Sequence, residues 1–153
     1  MNIGLYTITS PLHNQEAVEA ASAGFIKEIE NELDCRFDIK GADFGTYGQH
    51  DLDVIYVRTG GTEGIFKEVF PSLKGNIVLL TSGKSNSLAA SMEILSYLNR
   101  QGRRGEIIHG SITYIADRLR TLARVVSAAK RLDGSNLGVI GKPSDWLISS
   151  DAD

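Results

Sequence analysis

A chain of 153 residues, 42% apolar and 23% charged, has the size and balance of one globular domain, which excludes disordered and collagen-like classes. Such a domain buries roughly 70% of the surface its unfolded chain exposes, so neither a metal nor a disulfide is needed to hold it together. The net charge of −3 is too small to select a partner by itself.

Strand and helix patterns alternate along the chain. Ile3 to Ile8 is a short apolar run and reads as a first strand. Residues 14 to 33 switch to helical period, with Val18, Ala21, Phe25, Ile29 and Leu33 at spacings of three and four. Cys35, the single cysteine, stands before a weaker strand, Arg36 to Ile39. It can form no internal disulfide, so a reducing cytosol is its expected setting. Asp53 to Arg58, centred on Val54-Ile55-Tyr56-Val57, reads as a strand covered on both faces. Asp51 and Asp53 flank its start and read as solvent-facing.

Gly60 and Gly61 follow that strand, and Thr62 is placed to cap a short helix carrying Ile65, Phe66, Val69 and Phe70. Pro71 should end that helix near Phe70. Asn76 to Leu80 is another buried strand. A helix after Ser87 carries Leu88, Met92, Leu95 and Leu98 on one side and stops at Gly102. Gly105 to His109 is a fifth strand. A long helix follows from about Ile112 to Leu132, with the stripe Ile112, Ile115, Leu119, Leu122, Val126 and Ala129.

Basic residues crowd this last stretch. From Arg100 to Arg131 there are eight of them against two acids, Glu106 and Asp117, a net of +6 that leaves −9 elsewhere. A solvated helix face and a salt-bridged subunit contact both account for such a run. Nucleic acid is not an expected partner, since the basic residues lack interleaved aromatics and the whole chain is acidic. No basic, signal-like leader opens the sequence, and no apolar run approaches the roughly 20 residues that span a bilayer. The expectation is a soluble cytoplasmic protein with no membrane partner.

A β-α-β alternation with a helix in each connection implies parallel pairing. The predicted fold is α/β, a flavodoxin-like (Rossmann-like) three-layer sandwich, with strand order 2-1-3-4-5. Leu137-Gly138-Val139-Ile140-Gly141 reads as a sixth strand, followed by Lys142-Pro143-Ser144-Asp145-Trp146-Leu147-Ile148. The expected domains are therefore 1–134 and, over 135–153, the opening of a second α/β domain cut short. The competing expectation packs this tail on the first sheet as an edge strand.

Ligands of open parallel sheets bind beyond the carboxyl ends of the strands. The loops at that edge carry Thr9, Ser10 and His13, then Thr59, Gly60, Gly61 and Thr62, then Thr81 to Ser87 with Ser82, Lys84 and Asn86, and finally His109, Gly110 and Ser111. Hydroxyls, amides, imidazoles and close-approach glycines suit a polyhydroxylated ligand; they equally suit turns and helix caps. Nucleotide motifs fail. Gly83-Lys84-Ser85 lacks the first P-loop glycine, because position 78 is Val78. Thr59 stands where a dinucleotide fingerprint needs its first glycine. His13, His50 and His109 are far apart in sequence, no Gly-x-Ser-x-Gly elbow is present, and Cys35 lies away from the carboxyl edge. Binding groups are on offer; a catalytic set is not.

Three segments belong together: Thr59-Gly60-Gly61-Thr62-Glu63-Gly64, the run from Leu79 through Thr81-Ser82-Gly83-Lys84-Ser85-Asn86-Ser87 to Leu95, and Ile107-Ile108-His109-Gly110. In this order they resemble the N-terminal domain of the L-fucose isomerase-like and L-arabinose isomerase-like family, and Leu137 to Ile148 resembles the start of its second domain. The resemblance implies a complete enzyme that is an aldose–ketose isomerase using a divalent metal, usually Mn²⁺. Metal ligands and catalytic acids would come from later domains, so this chain would hold no cofactor and would not be catalytic alone. It also implies a homo-oligomer whose first domain helps close a neighbour's sugar site, with Ser10, Leu12 and His13 as the positions on the loop after the first strand. A free-standing sugar or phosphosugar binding module is the alternative expectation.

Overall fold

A computed structural model describes residues 1–136 together with Gly138 and Gly141. The strand and apolar cluster expected from Leu137 to Ile148, and with them the second domain expected over 135–153, fall outside the described residues apart from 135, 136, Gly138 and Gly141.

Five strands, β1 (Ile3–Ile8), β2 (Phe37–Gly41), β3 (Leu52–Val57), β4 (Ile77–Leu80) and β5 (Gly105–Ile108), form one sheet in the order β2-β1-β3-β4-β5. Every pairing is parallel. Four helices, α1 (Gln15–Leu33), α2 (Glu63–Val69), α3 (Ser87–Arg100) and α4 (Ile112–Leu132), cover it. The architecture is the expected flavodoxin-like sandwich with the expected strand order. All six residues of β1 are buried, and so are the four of β4, which is why both read as unbroken apolar runs.

Side-chain alternation along the strands splits the core in two. Leu5, Val54, Tyr56, Val78 and Leu80 pack under α1 and α4. Tyr6, Ile8, Ile55, Val57 and Leu79 pack under α2 and α3. Helix faces are rotated slightly from the predicted stripes. Ser22 and Ile26 of α1 are buried while Ala21 is exposed. Met92 of α3 is 60% exposed, and Ala90, Ser91 and Ile94 face the sheet instead. A buried serine is tolerable there because Ser91 Oγ donates to the Ser87 carbonyl at 2.8 Å. Ala116 and Ala123 of α4 face inward, whereas Ala129 is exposed.

One expected helix is missing. The connection from β2 to β3 carries only a single 3-10 turn, Phe44–Thr46. Its aromatic residues do the covering that a helix would do. Phe44 and Tyr47 lie 5.0 and 5.2 Å from the Tyr6 ring, and the Tyr6 hydroxyl meets Thr46 Oγ1 at 3.0 Å. Burial pushes the Tyr6 phenol up to about 12, and burial pushes Tyr47 up further.

The same loop corrects the reading of Asp53 as solvent-facing. Its side chain is 8% exposed; it accepts from the Gly48 N–H at 2.8 Å and pairs with His50 Nδ1 at 2.6 Å. The other ring nitrogen of His50 lies 3.2 Å from Asp38 Oδ2. Asp38 in turn meets Lys40 at 2.8 Å, and hydrogen bonds from Lys40 and then His50 hold its carboxyl below the usual range. Gly4 of β1 leaves the room this latch occupies. Asp51 accepts from the Asn2 N–H at 2.8 Å.

Candidate functional site

The carboxyl edge is built by four loops that knit to one another. Thr59, two residues after β3 and fully buried, accepts the Ser10 N–H on its Oγ1 at 3.0 Å. Its carbonyl accepts from Thr62 Oγ1 at 3.1 Å. Thr62 therefore does not cap α2 with its side chain, as the sequence predicted; its carbonyl accepts the Phe66 N–H at 2.9 Å instead. Gly61 adopts φ +71°, and an added Cβ there would stand 3.2 Å from Ser10 Oγ. The Gly60 N–H donates to the Ser85 carbonyl at 2.7 Å, tying the β3 loop to the β4 loop.

The β4 loop is organised the same way. Thr81 Oγ1 donates to Ser87 Oγ at 2.7 Å and accepts the Gly83 N–H at 3.1 Å. Ser87 Oγ donates to the Lys84 carbonyl at 2.6 Å. Ser82 Oγ accepts the Lys84 N–H at 3.4 Å. Gly83 has φ +76°, and a Cβ on it would stand 2.6 Å from His109 Cε1, so only glycine fits. The His109 ring, exposed, holds Nδ1 3.1 Å from the Thr81 carbonyl.

These contacts sort the predicted positions. Ser10, Thr59 and Thr62 are buried: Thr59 Oγ1 joins two loops by accepting the Ser10 N–H, while Ser10 Oγ and Thr62 Oγ1 bond within their own loops. Gly60 and Gly61 let the loops approach. Lys84, Asn86 and His109 are exposed, and Leu12 stands 91% exposed at the tip of the loop after β1.

His13, Ser82 and Lys84 are brought together in one cleft of about 260 Å³ between α1 and the ends of β3 and β4. The residues that complete it include Ser85, on the loop already named from the sequence, and three that the sequence did not point to: Asn14, Ser22 and Arg58. Asn14 caps α1, its Oδ1 accepting the Ala17 N–H at 3.0 Å. Arg58 lies beside the Tyr56 ring, 6.0 Å from its centroid, and donates from Nη1 to Glu19 Oε2 at 2.6 Å. The usable sequence signal was an arginine closing the apolar run of β3 at the carboxyl edge.

A larger hollow, about 470 Å³, lies at the opposite end, lined by Met1, Asp51 and the α4 arginines Arg120, Arg124 and Arg131. Open-sheet ligand sites lie beyond carboxyl ends, so the smaller cleft is the candidate site. Several members of the basic run serve as internal clamps. Arg118 grips Glu106 with both ends of its fork at 2.5 and 2.7 Å, which raises its own pKa. Arg103 donates to the carbonyls of Leu73 and Gly75 at 3.1 and 2.7 Å. Lys130 donates to the His50 carbonyl.

Among the described residues no three His, Cys, Asp or Glu side chains converge as metal ligands. Cys35, just past the carboxyl end of α1, donates to the Met1 carbonyl at 3.3 Å and does not line the cleft. No helix among the described residues is long and apolar enough to cross a membrane. Comparison with known proteins finds no matching family model, no matching curated protein and no matching solved structure.

Proposed function

We propose that this chain forms the amino-terminal domain of an aldose–ketose isomerase of the L-fucose or L-arabinose type. In this reading it contributes to oligomerisation and to closing the sugar site of a neighbouring subunit in the cytoplasm, and it is not catalytic alone. The observation that carries the reading is that Thr59–Gly64, Thr81–Ser87 and His109–Gly110, read in sequence as one ordered set, belong to loops of a single sheet edge joined by direct bonds. Leu12 supports the lid role: a bare leucine, 91% exposed at a loop tip, gains by being covered. The Mn²⁺ and the acid–base groups belong to parts of the enzyme beyond the described residues.

The test uses the complete gene product. With Mn²⁺ present it is expected to interconvert a pentose or deoxyhexose with its ketose, while the 153-residue chain alone is inert. Leu12→Ser in that product should lower kcat/KM and leave the thermal midpoint unchanged. A gene that ends at Asp153 would overturn the reading.

The cationic cleft favours a second reading, a free-standing sugar or phosphosugar binding module. A tight ligand should then stabilise the chain by about 2.7 kcal/mol at 100 times its dissociation constant. No thermal shift across a panel of sugars and sugar phosphates would remove that reading.

A further inference from the structure

We propose that the cleft between α1 and the carboxyl ends of β3 and β4 receives the phosphate group of a small phosphorylated metabolite, clamped by Arg58 and Lys84. The inference rests on the second reading's premise that this edge takes a ligand, and it holds with or without an isomerase attached.

The lining chemistry is one-sided. Its full charges are Arg58 and Lys84, joined by the His13 imidazole, the Asn14 amide and the hydroxyls of Ser22, Tyr56, Ser82 and Ser85; no carboxylate is among the lining residues, the one that reaches them being Glu19 on Arg58, although the chain as a whole is acidic. A concave surface lined by one sign of charge concentrates ligands of the other sign.

Arg58 already holds an oxyanion. Glu19 presents both carboxylate oxygens to its fork, at 2.6 and 3.5 Å. The arginine is held in place, its side chain 15% exposed, whereas Glu19 is 65% exposed and easily displaced. Arg58 Nε is buried and has no acceptor among the described residues. This guanidinium therefore has donor capacity beyond what Glu19 uses, and planar bidentate recognition of an oxyanion is what the group does best. Across the cleft, the Lys84 ammonium enters no ion pair or hydrogen bond among the described residues. Its loop is held in position by the Gly60 N–H donating to the Ser85 carbonyl, so one cation is rigid and the other is free to close.

Size and the remaining wall narrow the ligand class. A volume of about 260 Å³ lies just below the roughly 300 Å³ at which sites for drug-sized molecules begin, so a dinucleotide is too large. Ala17, Val18, Ala21 and Phe25 form an apolar wall against which a short carbon skeleton can lie.

The experiment titrates the isotope-labelled chain with D-ribose 5-phosphate, D-ribose and inorganic phosphate at constant ionic strength, followed by amide NMR and calorimetry. D-ribose 5-phosphate should shift amides at His13 to Ala17, Arg58 and Ser82 to Asn86; inorganic phosphate should shift the same set more weakly; D-ribose should not. Lys84→Gln should weaken binding about tenfold, the loss of one charge-assisted contact, with the fold intact by its unchanged spectrum elsewhere. Glu19→Gln removes the competing carboxylate and should tighten binding several-fold, a change of sign that a merely structural salt bridge would not give.

Equal binding of D-ribose and D-ribose 5-phosphate would overturn the phosphate assignment. Binding unaffected by both substitutions would overturn the location while leaving the second reading in place. No shift with any of the three probes would defeat the inference and weaken that reading with it.

Discussion

Replacing Gly4 by alanine tests whether the β2–β3 connection, which has no helix, is held by the latch beneath it. An alanine Cβ would stand 2.5 Å from His50 Nδ1 and 2.7 Å from Asp53 Oδ1. Neither group can step aside, since His50 is 5% exposed, Asp53 is 8% exposed, and the imidazole is flanked by Asp38 on its other side. The latch must open or β1 must shift. Losing a hydrogen bond to a charged group costs about 1.5–3 kcal/mol, and an extra methyl in a tight core about 1–3 kcal/mol. The expected loss is thus about 4 kcal/mol, a large share of the 5–15 kcal/mol that holds a typical domain. At about 2–4 °C per kcal/mol for a chain of this length, the thermal midpoint should fall by about 8–16 °C. Circular dichroism during heating and urea denaturation measures both quantities. His50→Ala in the same chain vacates part of the space, so the double variant should be more stable than the two single losses added, by more than about 1 kcal/mol. A Gly4→Ala chain within about 0.5 kcal/mol of the parent, or strict additivity with His50→Ala, would refute the reasoning.

Asp38 has a folded pKa below its ordinary value of 3.8, set by Lys40 first and His50 second. Its stabilising share is therefore complete above that ordinary value and is lost as pH falls through the lowered one; Asp38→Asn should lower stability at neutral pH and leave it little changed in acid, so that the acid limb of a urea-stability profile flattens. Tyr6 behaves with the opposite sense. Its phenol is raised to about 12 from 10.0, so the unfolded chain ionises first, and stability should fall as pH rises from about 10 towards 12. Phenolate absorbance should show a late class of tyrosines that ionises together with alkaline unfolding. Gly83→Ala combines a positive φ with a 2.6 Å approach to His109 and should cost about 1–2 kcal/mol by urea denaturation; because the His109 ring is exposed, His109→Ala should recover only the steric part.

The alternation of short apolar runs with 3.6-period segments was enough to place five strands, four helices and parallel pairing, because periodicity and handed connections are local properties of a chain; the order 2-1-3-4-5 was an expectation that only the assembled sheet decided. Helix faces were legible to within one residue, as the exchange of Ala21 for Ser22 and of Met92 for Ser91 illustrates. The missing helix between β2 and β3 was not legible. Phe44 and Tyr47 earn their place by meeting Tyr6 about forty residues earlier, and no window of sequence contains both partners.

The candidate site divides in the same way. Its edge could be named from the loops that follow each strand, and His13, Ser82 and Lys84 with it. Which hydroxyls turn inward to join loops, and that Arg58 faces the same cleft as Lys84, depended on how three separate connections fold against each other. Local pattern specifies what each segment is. Only packing between distant segments decides which of their polar groups are consumed by the fold and which are left to meet a ligand.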